Sequence, residues 1–247
     1  MLIEQTVEKM MAMKMGKMAE SLKERIARPD HQSLSFAEFV GFLVDDEYQH
    51  RQNLKLTSRM RRASFKETQA CVENIDYQMK RDLSKKTIIE LAQNSWIRQH
   101  QNLIFTGPSG AGKSYLAQAL GHHAVREGFT VLYMRCPKLY HHLTVARADG
   151  TYLDKLKMIA KANVIILDDF GVTPIDETKR QDLFELIEDR HGLGSTIVTT
   201  QLPTENWHQY LGGGMLGDSI CDRLSRNAHK IKLTGPSNRP EIKNLTS

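Results

Sequence analysis

GPSGAGKS, residues 107–114, follows directly on the apolar run Asn102-Leu-Ile-Phe-Thr106 and precedes a stretch with helical spacing. Strand, glycine loop and helix, in that order, form the context in which G-x-x-x-x-G-K-[ST] cradles nucleotide phosphates. Gly107, Gly110 and Gly112 let the backbone turn tightly, so that its N–H groups point inward at an anion. The helix starting near Lys113 adds its positive dipole end to the same spot. We therefore expect Gly107, Pro108, Ser109, Gly110, Ala111, Gly112, Lys113, Ser114 and Tyr115 to hold ATP. Lys113 is expected on the β- and γ-phosphates, and the Ser114 hydroxyl on a magnesium ion.

Working outward, Val164-Ile-Ile-Leu-Asp168-Asp169-Phe170 reads as a buried parallel strand ending in two carboxylates. Open α/β sheets place their ligands at such strand ends. Adjacent strand side chains point opposite ways, so the two acids should have different tasks. We expect Asp168 on the magnesium and Asp169 to orient or deprotonate the attacking water. The strand Ser195-Thr-Ile-Val-Thr-Thr200 runs into Gln201-Leu-Pro203, making Thr200 or Gln201 a candidate sensor of the γ-phosphate. Within Cys221-Asp-Arg223-Leu-Ser-Arg226, Arg223, ahead of Arg226, is expected as an arginine supplied in trans. Arg239 is a further candidate phosphate contact.

Strand signals at 102–106, 130–135, 164–168, 195–200 and 229–233 alternate with helix signals at 113–127, 138–147, 152–162, 178–191 and 217–226. Such alternation implies an α/β fold, with a parallel sheet covered on both faces. The first 66 residues instead read as an all-helical domain, and residues 67–247 as the nucleotide-binding domain. Residues 2–28 carry Met10, Met11, Met15, Met18, Leu22 and Ile26 at helical spacing up to Pro29. Ser35 and Glu38 form a capping box, and Asp45-Asp46 are expected to start another helix. Ser84 is expected to cap a helix running to about Arg98, and Gly128 to close the helix after the phosphate loop.

The 247 residues carry a formal charge of +5, and that charge is unevenly spread. Residues 50–66 contain Arg51, Lys55, Arg59, Arg61, Arg62 and Lys66 without an acid. Arg51, Lys55, Arg59 and Arg62 recur on one helical face, a pattern suited to sequence-tolerant contacts with phosphates of double-stranded DNA. Lys138, His141, His142 and Arg147 are a second DNA-facing candidate set. Cys71, Cys136 and Cys221 are odd in number and lack C-x-x-C spacing, as expected of a reducing cytoplasm. The pairs His122-His123 and His141-His142 lack further ligands and read as surface or packing residues. No apolar run approaches a membrane span, and the charged N-terminus is not a secretory signal.

Together, the N-terminal stretch with Gln32-Ser-Leu-Ser-Phe36, Ile75-Asp76-Tyr77, Trp96-Ile97, GPSGAGKS, ILDDFG at 166–171, Trp207 and Asp222-Arg223-Leu224 resemble the IstB family of transposition helper ATPases. These are relatives of the DnaC helicase loaders within the AAA+ superfamily. The resemblance implies an AAA+ P-loop NTPase sandwich of three layers. It implies ATP hydrolysis, homo-oligomerisation on DNA, and recruitment of a DDE transposase of a bacterial insertion sequence. It places the ATP-site roles on Gly107, Gly112, Lys113, Ser114, Asp168, Asp169, Gln201 and Arg223. Asp169 stands where many AAA+ proteins carry glutamate, which implies slow, switch-like and DNA-stimulated turnover. Gln201 stands where asparagine is common, and the chain ends too soon after its last strand for a helical lid. A DnaC-like replicative helicase loader is the alternative function. A small-molecule kinase would need a lid, and would leave the basic blocks unexplained.

Overall fold

The structure, a computed structural model, describes residues 2–28, 34–77 and 82–235; Pro29 and Arg239 lie outside them. The chain divides into two compact units, Met1–Ser58 and Arg59–Ser247.

In the first unit, α1 (Leu2–Ala12) and α2 (Gly16–Ile26) pack with the first half of α3 (Phe36–Ala63). Val7, Ala19, Leu22 and Leu43 form its small core, lined by Met10, Met18, Ile26 and Phe39. Residues 2–28 are not one helix: Lys14 adopts φ +58°, and the chain restarts at Gly16. The capping box forms as expected. The Ser35 N–H donates to Glu38 Oε2 at 2.9 Å, and the Glu38 N–H to Ser35 Oγ at 3.3 Å. Asp45-Asp46, however, starts no new helix, because α3 runs through it. Asp46 instead accepts from Ser21 and Arg25 across to α2, at 2.5 and 2.9 Å. Its neighbour Glu47 accepts from the Met18 N–H. Partners on another helix outweigh the residues' preference for a cap.

In the second unit, residues 84–98 form two helices, α4 (Lys85–Ala92) and α5 (Ser95–Arg98), rather than one. Ser84 caps α4 as expected, while Asn94 in the left-handed region breaks the run. Five strands follow: β1 (Asn102–Thr106), β2 (Val131–Arg135), β3 (Val164–Phe170), β4 (Ser195–Thr200) and β5 (Ala228–Lys232). They pair in parallel in the order β2-β3-β4-β1-β5. Parallel neighbours require crossover connections, and helices supply them on both faces. One face carries α6 (Lys113–Arg126), whose Gly121 lies against Ile166 of β3. On the other lie α7 (Cys136–Ala148), α8 (Tyr152–Ala160), α9 (Glu177–Arg190) and α11 (Gly214–Ser225), with the short α10 (Trp207–Tyr210). Their core includes Leu139, Leu143, Ile159, Leu183, Leu186, Trp207, Ile220 and Leu224 packed on Ile104, Ile165, Leu167 and Val198. Alternate residues of the same strands thus serve opposite layers, which is why these strands read as continuous apolar runs. Gly128, at φ +98°, closes α6 as expected. The result is the α/β P-loop sandwich anticipated from the alternation.

Candidate nucleotide site

The phosphate loop connects the C-terminal end of β1 to the first turn of α6. At Gly107, φ is +148°, and an added Cβ would lie 2.3 Å from the Leu233 carbonyl oxygen. The loop can therefore pass the chain leaving β5 only without a side chain there. Lys113, buried at the start of α6, donates to the Gly107 and Pro108 carbonyls at 2.9 and 2.7 Å. Its ammonium is thus held over the loop itself.

Asp168 is buried, yet it has donors on both oxygens. Ser114 Oγ donates to Oδ1 at 2.6 Å, and Tyr133 OH to Oδ2 at 2.7 Å. The Thr199 hydroxyl also donates to Oδ1. A buried carboxylate needs such partners, because desolvation without them is costly. Burial, then the bond to Asp168, holds the Tyr133 phenol well above its ordinary pKa, so it stays a donor.

Asp169 departs from simple alternation. β3 bulges here: Leu167 pairs with Val198 and Phe170 with Thr200, leaving two acids opposite Thr199. Asp169 takes φ +58° to make that step. A bulge re-aims side chains. As a result both acids, rather than one of them, face a single cleft of about 600 Å³, with Ser109, Lys113, Ser114 and Gln201. Asp169 also accepts from Arg135 Nε at 2.6 Å.

Of the sequence candidates, Ser109, Gly110, Gly112, Lys113, Ser114, Tyr115, Asp168, Asp169 and Gln201 line this cleft, as does Lys66 of the basic set. Thr200 does not line it: its buried hydroxyl donates to the Phe170 carbonyl and accepts from the Leu202 N–H. Thr199, one residue earlier, reaches Asp168 instead. Arg223 lies at the other end of the sheet. Its carbonyl accepts from Asn102 Nδ2 at the start of β1, while the phosphate loop leaves the end of that strand. Its guanidinium pairs with Glu188. The structure does not bring it to the cleft of its own chain.

Among the basic candidates, Lys55, Arg61, Arg62 and Lys66 are exposed. Arg51 is held by Glu47 and the Lys14 carbonyl, and Arg59 by the Gly128 carbonyl at 2.6 Å. Arg147 is removed from the second set. It forks onto the buried Asp182 at 2.9 and 2.5 Å and stacks 3.8 Å over the Tyr152 ring, so it is a packing residue. Tyr133, Arg135 and Thr199 were missed by sequence reasoning. The available signal was position: each sits at or near the C-terminal end of a strand flanking the acid-bearing one.

Among the described residues, no group of His, Cys, Asp and Glu is large enough to hold a metal alone, and no helix is long and apolar enough to cross a membrane.

A family model described as IstB-like ATP binding protein matches residues 8–246. A Sinorhizobium fredii protein named as an insertion-sequence ATP-binding protein is 42% identical over 97% of each chain. A Mycobacterium tuberculosis protein named likewise is 32% identical over 92% of this chain and 91% of its own. Among solved structures, the DnaC helicase loader superposes with a TM-score of 0.57 at 20% identity, over 66% of this chain and 96% of that one. AMPPCP-bound DnaA from Aquifex aeolicus gives 0.56 at 18% identity, over 67% and 50%. These two likenesses concern the fold. By the family match and the identity to its relatives, the chain belongs to the IstB-like ATP binding proteins of insertion sequences.

Proposed function

We propose that the protein is an ATP-hydrolysing switch that assembles on double-stranded DNA and recruits or stimulates the transposase of its insertion sequence. The observation that carries this reading is the convergence of Lys113, Ser114, Asp168 and Asp169 on one cleft at the end of the central strands. Lys113 sits where β- and γ-phosphate oxygens would replace its two loop carbonyls. The backbone N–H groups at the start of α6 face the same anion.

Ser114 Oγ and Asp168 Oδ1, 2.6 Å apart, offer a hydroxyl and a carboxylate oxygen side by side. That hard-oxygen pair fits magnesium, which completes its shell with phosphates and waters rather than a protein cage. The ion would neutralise charge on the β- and γ-phosphates. Asp169 orients the attacking water and takes its proton. As the water oxygen bonds to the γ-phosphorus, the bond to the bridging oxygen breaks, leaving ADP and inorganic phosphate. Gln201, exposed at the rim, is placed to hydrogen-bond the γ-phosphate or that water.

Arg223 serves in trans: the cleft of one copy is completed by Arg223 of a neighbouring copy. Such an arginine is typically worth about 10³–10⁵ in rate. Assembly lines up Lys55, Arg61, Arg62 and Lys66 from many copies, turning weak phosphate contacts into avidity. A replicative helicase loader would use the same site. The insertion-sequence relatives, at higher identity than the DnaC likeness, favour the transposition role.

Calorimetry with a non-hydrolysable ATP analogue tests the site. Lys113→Ala is expected to lose binding, whereas Asp169→Asn is expected to keep binding and lose turnover. Unchanged affinity in Lys113→Ala, or full turnover in Asp169→Asn, contradicts the assignment.

A further inference from the structure

Of the cations in residues 50–66, Lys66 alone lines the nucleotide cleft. It follows the end of α3, and its backbone is fixed on α6 by several bonds. The Lys66 and Glu67 N–H groups both donate to Oε1 of the fully buried Gln118, at 2.7 and 2.8 Å. Gln118 Nε2 in turn donates to the Ser114 carbonyl at 3.1 Å. Phe65 stacks on His122, and the His122 ring hydrogen-bonds the Glu67 carbonyl at 3.0 Å. One buried amide thus ties the chain at Lys66 to the first turn of the helix that the phosphate loop opens. A buried amide side chain is tolerated where its polar atoms are matched, and here the match fixes where Lys66 stands.

Its neighbours locate Lys66 within the cleft. A second cavity, of about 500 Å³, lies beside β2, and Lys66 and Arg135 line both. Arg135 is the residue bonded to Asp169. Lys66 therefore stands at the Asp169 end of the cleft, away from the loop carbonyls that receive Lys113. In the reading above, that end takes the γ-phosphate and the attacking water. The cleft gathers Lys66, Lys113 and Arg135 against Glu67, Asp168 and Asp169, and Arg135 is already engaged with Asp169. Among the described residues, Lys66 has no ion-pair partner. An ammonium is a compact point charge on a flexible stem, so pinning the backbone beneath it lowers the cost of ordering the contact. We propose that Lys66 contacts the γ-phosphate bound in its own chain, and that Gln118 is the positioning residue that holds it there. A contact made only with the third phosphate favours ATP over ADP, because a ligand difference is read only through differential contacts. The inference rests on the nucleotide reading of the cleft.

The test uses full-length protein without DNA, so that no contact of Lys66 with a duplex enters. Calorimetry measures the affinity for a non-hydrolysable ATP analogue and for ADP, each with magnesium. Lys66→Gln is expected to weaken the triphosphate about tenfold while leaving ADP within about twofold, as suits one charge-assisted contact. Lys66→Arg, which keeps the charge, is expected to retain most of the preference. Arg62→Gln makes the same charge change on a neighbour that does not line the cleft, and is expected to bind both nucleotides like wild type. Gln118→Leu removes the acceptor of the two N–H groups and is expected to lose the triphosphate preference as Lys66→Gln does, with no further loss in the double variant. A merely structural role of Gln118 would weaken both nucleotides alike. The contact is rejected if Lys66→Gln binds both nucleotides like wild type or weakens both equally, or if Arg62→Gln loses the preference as well. The positioning role is rejected if Gln118→Leu keeps the wild-type ratio of affinities, or loses ADP in the same proportion. Wild-type protein that binds neither nucleotide would instead overturn the proposed function itself.

Discussion

Asp168 makes the residue scale concrete: one buried carboxylate is oriented by Ser114, Tyr133 and Thr199, so its position does not depend on a bound nucleotide. Removing one such orienting partner leaves the acid in place but less well aimed, and outer-shell losses of this kind typically cost about 10–100-fold in activity or metal affinity. Thr199→Val, nearly isosteric, is accordingly expected to lower ATP turnover within that range while leaving the fold intact. Turnover kinetics together with thermal denaturation check this, and full activity in the variant contradicts it. At this scale the sequence was legible where the backbone itself dictates residue type. The glycines, Lys113 and Ser114 sit in a fixed spacing, and Asp168 ends an unmistakable strand. Tyr133, Arg135 and Thr199 were not legible, because they meet the acids through sheet register, a long-range property. Thr199 and Thr200 look alike in sequence. Only the bulge in β3 decides that the first reaches Asp168 and the second is spent on the backbone.

At the scale of elements, period and length marked all five strands and the main helices between them, most clearly β1, β3 and β4, which are buried on both faces. The breaks were harder to read. Lys14 and Asn94 interrupt helical runs through left-handed backbone, which periodicity does not register, and Asp46 spends its carboxylate across helices rather than as a cap. Another element unseen in sequence is the segment following α3, which docks on α6. Lys66 and Glu67 donate their N–H groups to the buried Gln118 at 2.7 and 2.8 Å, and Phe65 stacks on His122 at 4.0 Å. His122 also hydrogen-bonds the Glu67 carbonyl, and burial pushes its pKa below the ordinary value. The folded state therefore prefers the neutral ring, while the unfolded chain takes up a proton below about pH 6.5. The stabilising contribution is present above that pH and is lost as pH falls through the range below it. Urea denaturation between pH 7 and pH 5 should show falling stability in wild type and a flatter dependence in His122→Gln. Identical slopes would mean that this contact does not couple to protonation.

At the scale of the whole molecule, a small helical unit with a four-residue core accompanies a larger sandwich whose central strands end at the nucleotide cleft. Arg223 lies at the opposite end of the strands from the phosphate loop of its own chain, so any role at a triphosphate must come from another copy. If Arg223 acts in trans as proposed, activity is a property of assembly, and ATP favours the assembled state through the extra contacts made across the junction. The most direct measurement is mass photometry of full-length protein with duplex DNA, with and without a non-hydrolysable ATP analogue. The account predicts a large protein–DNA assembly only when both are present, reduced by Arg223→Ala. The same mass distribution with and without nucleotide would contradict it.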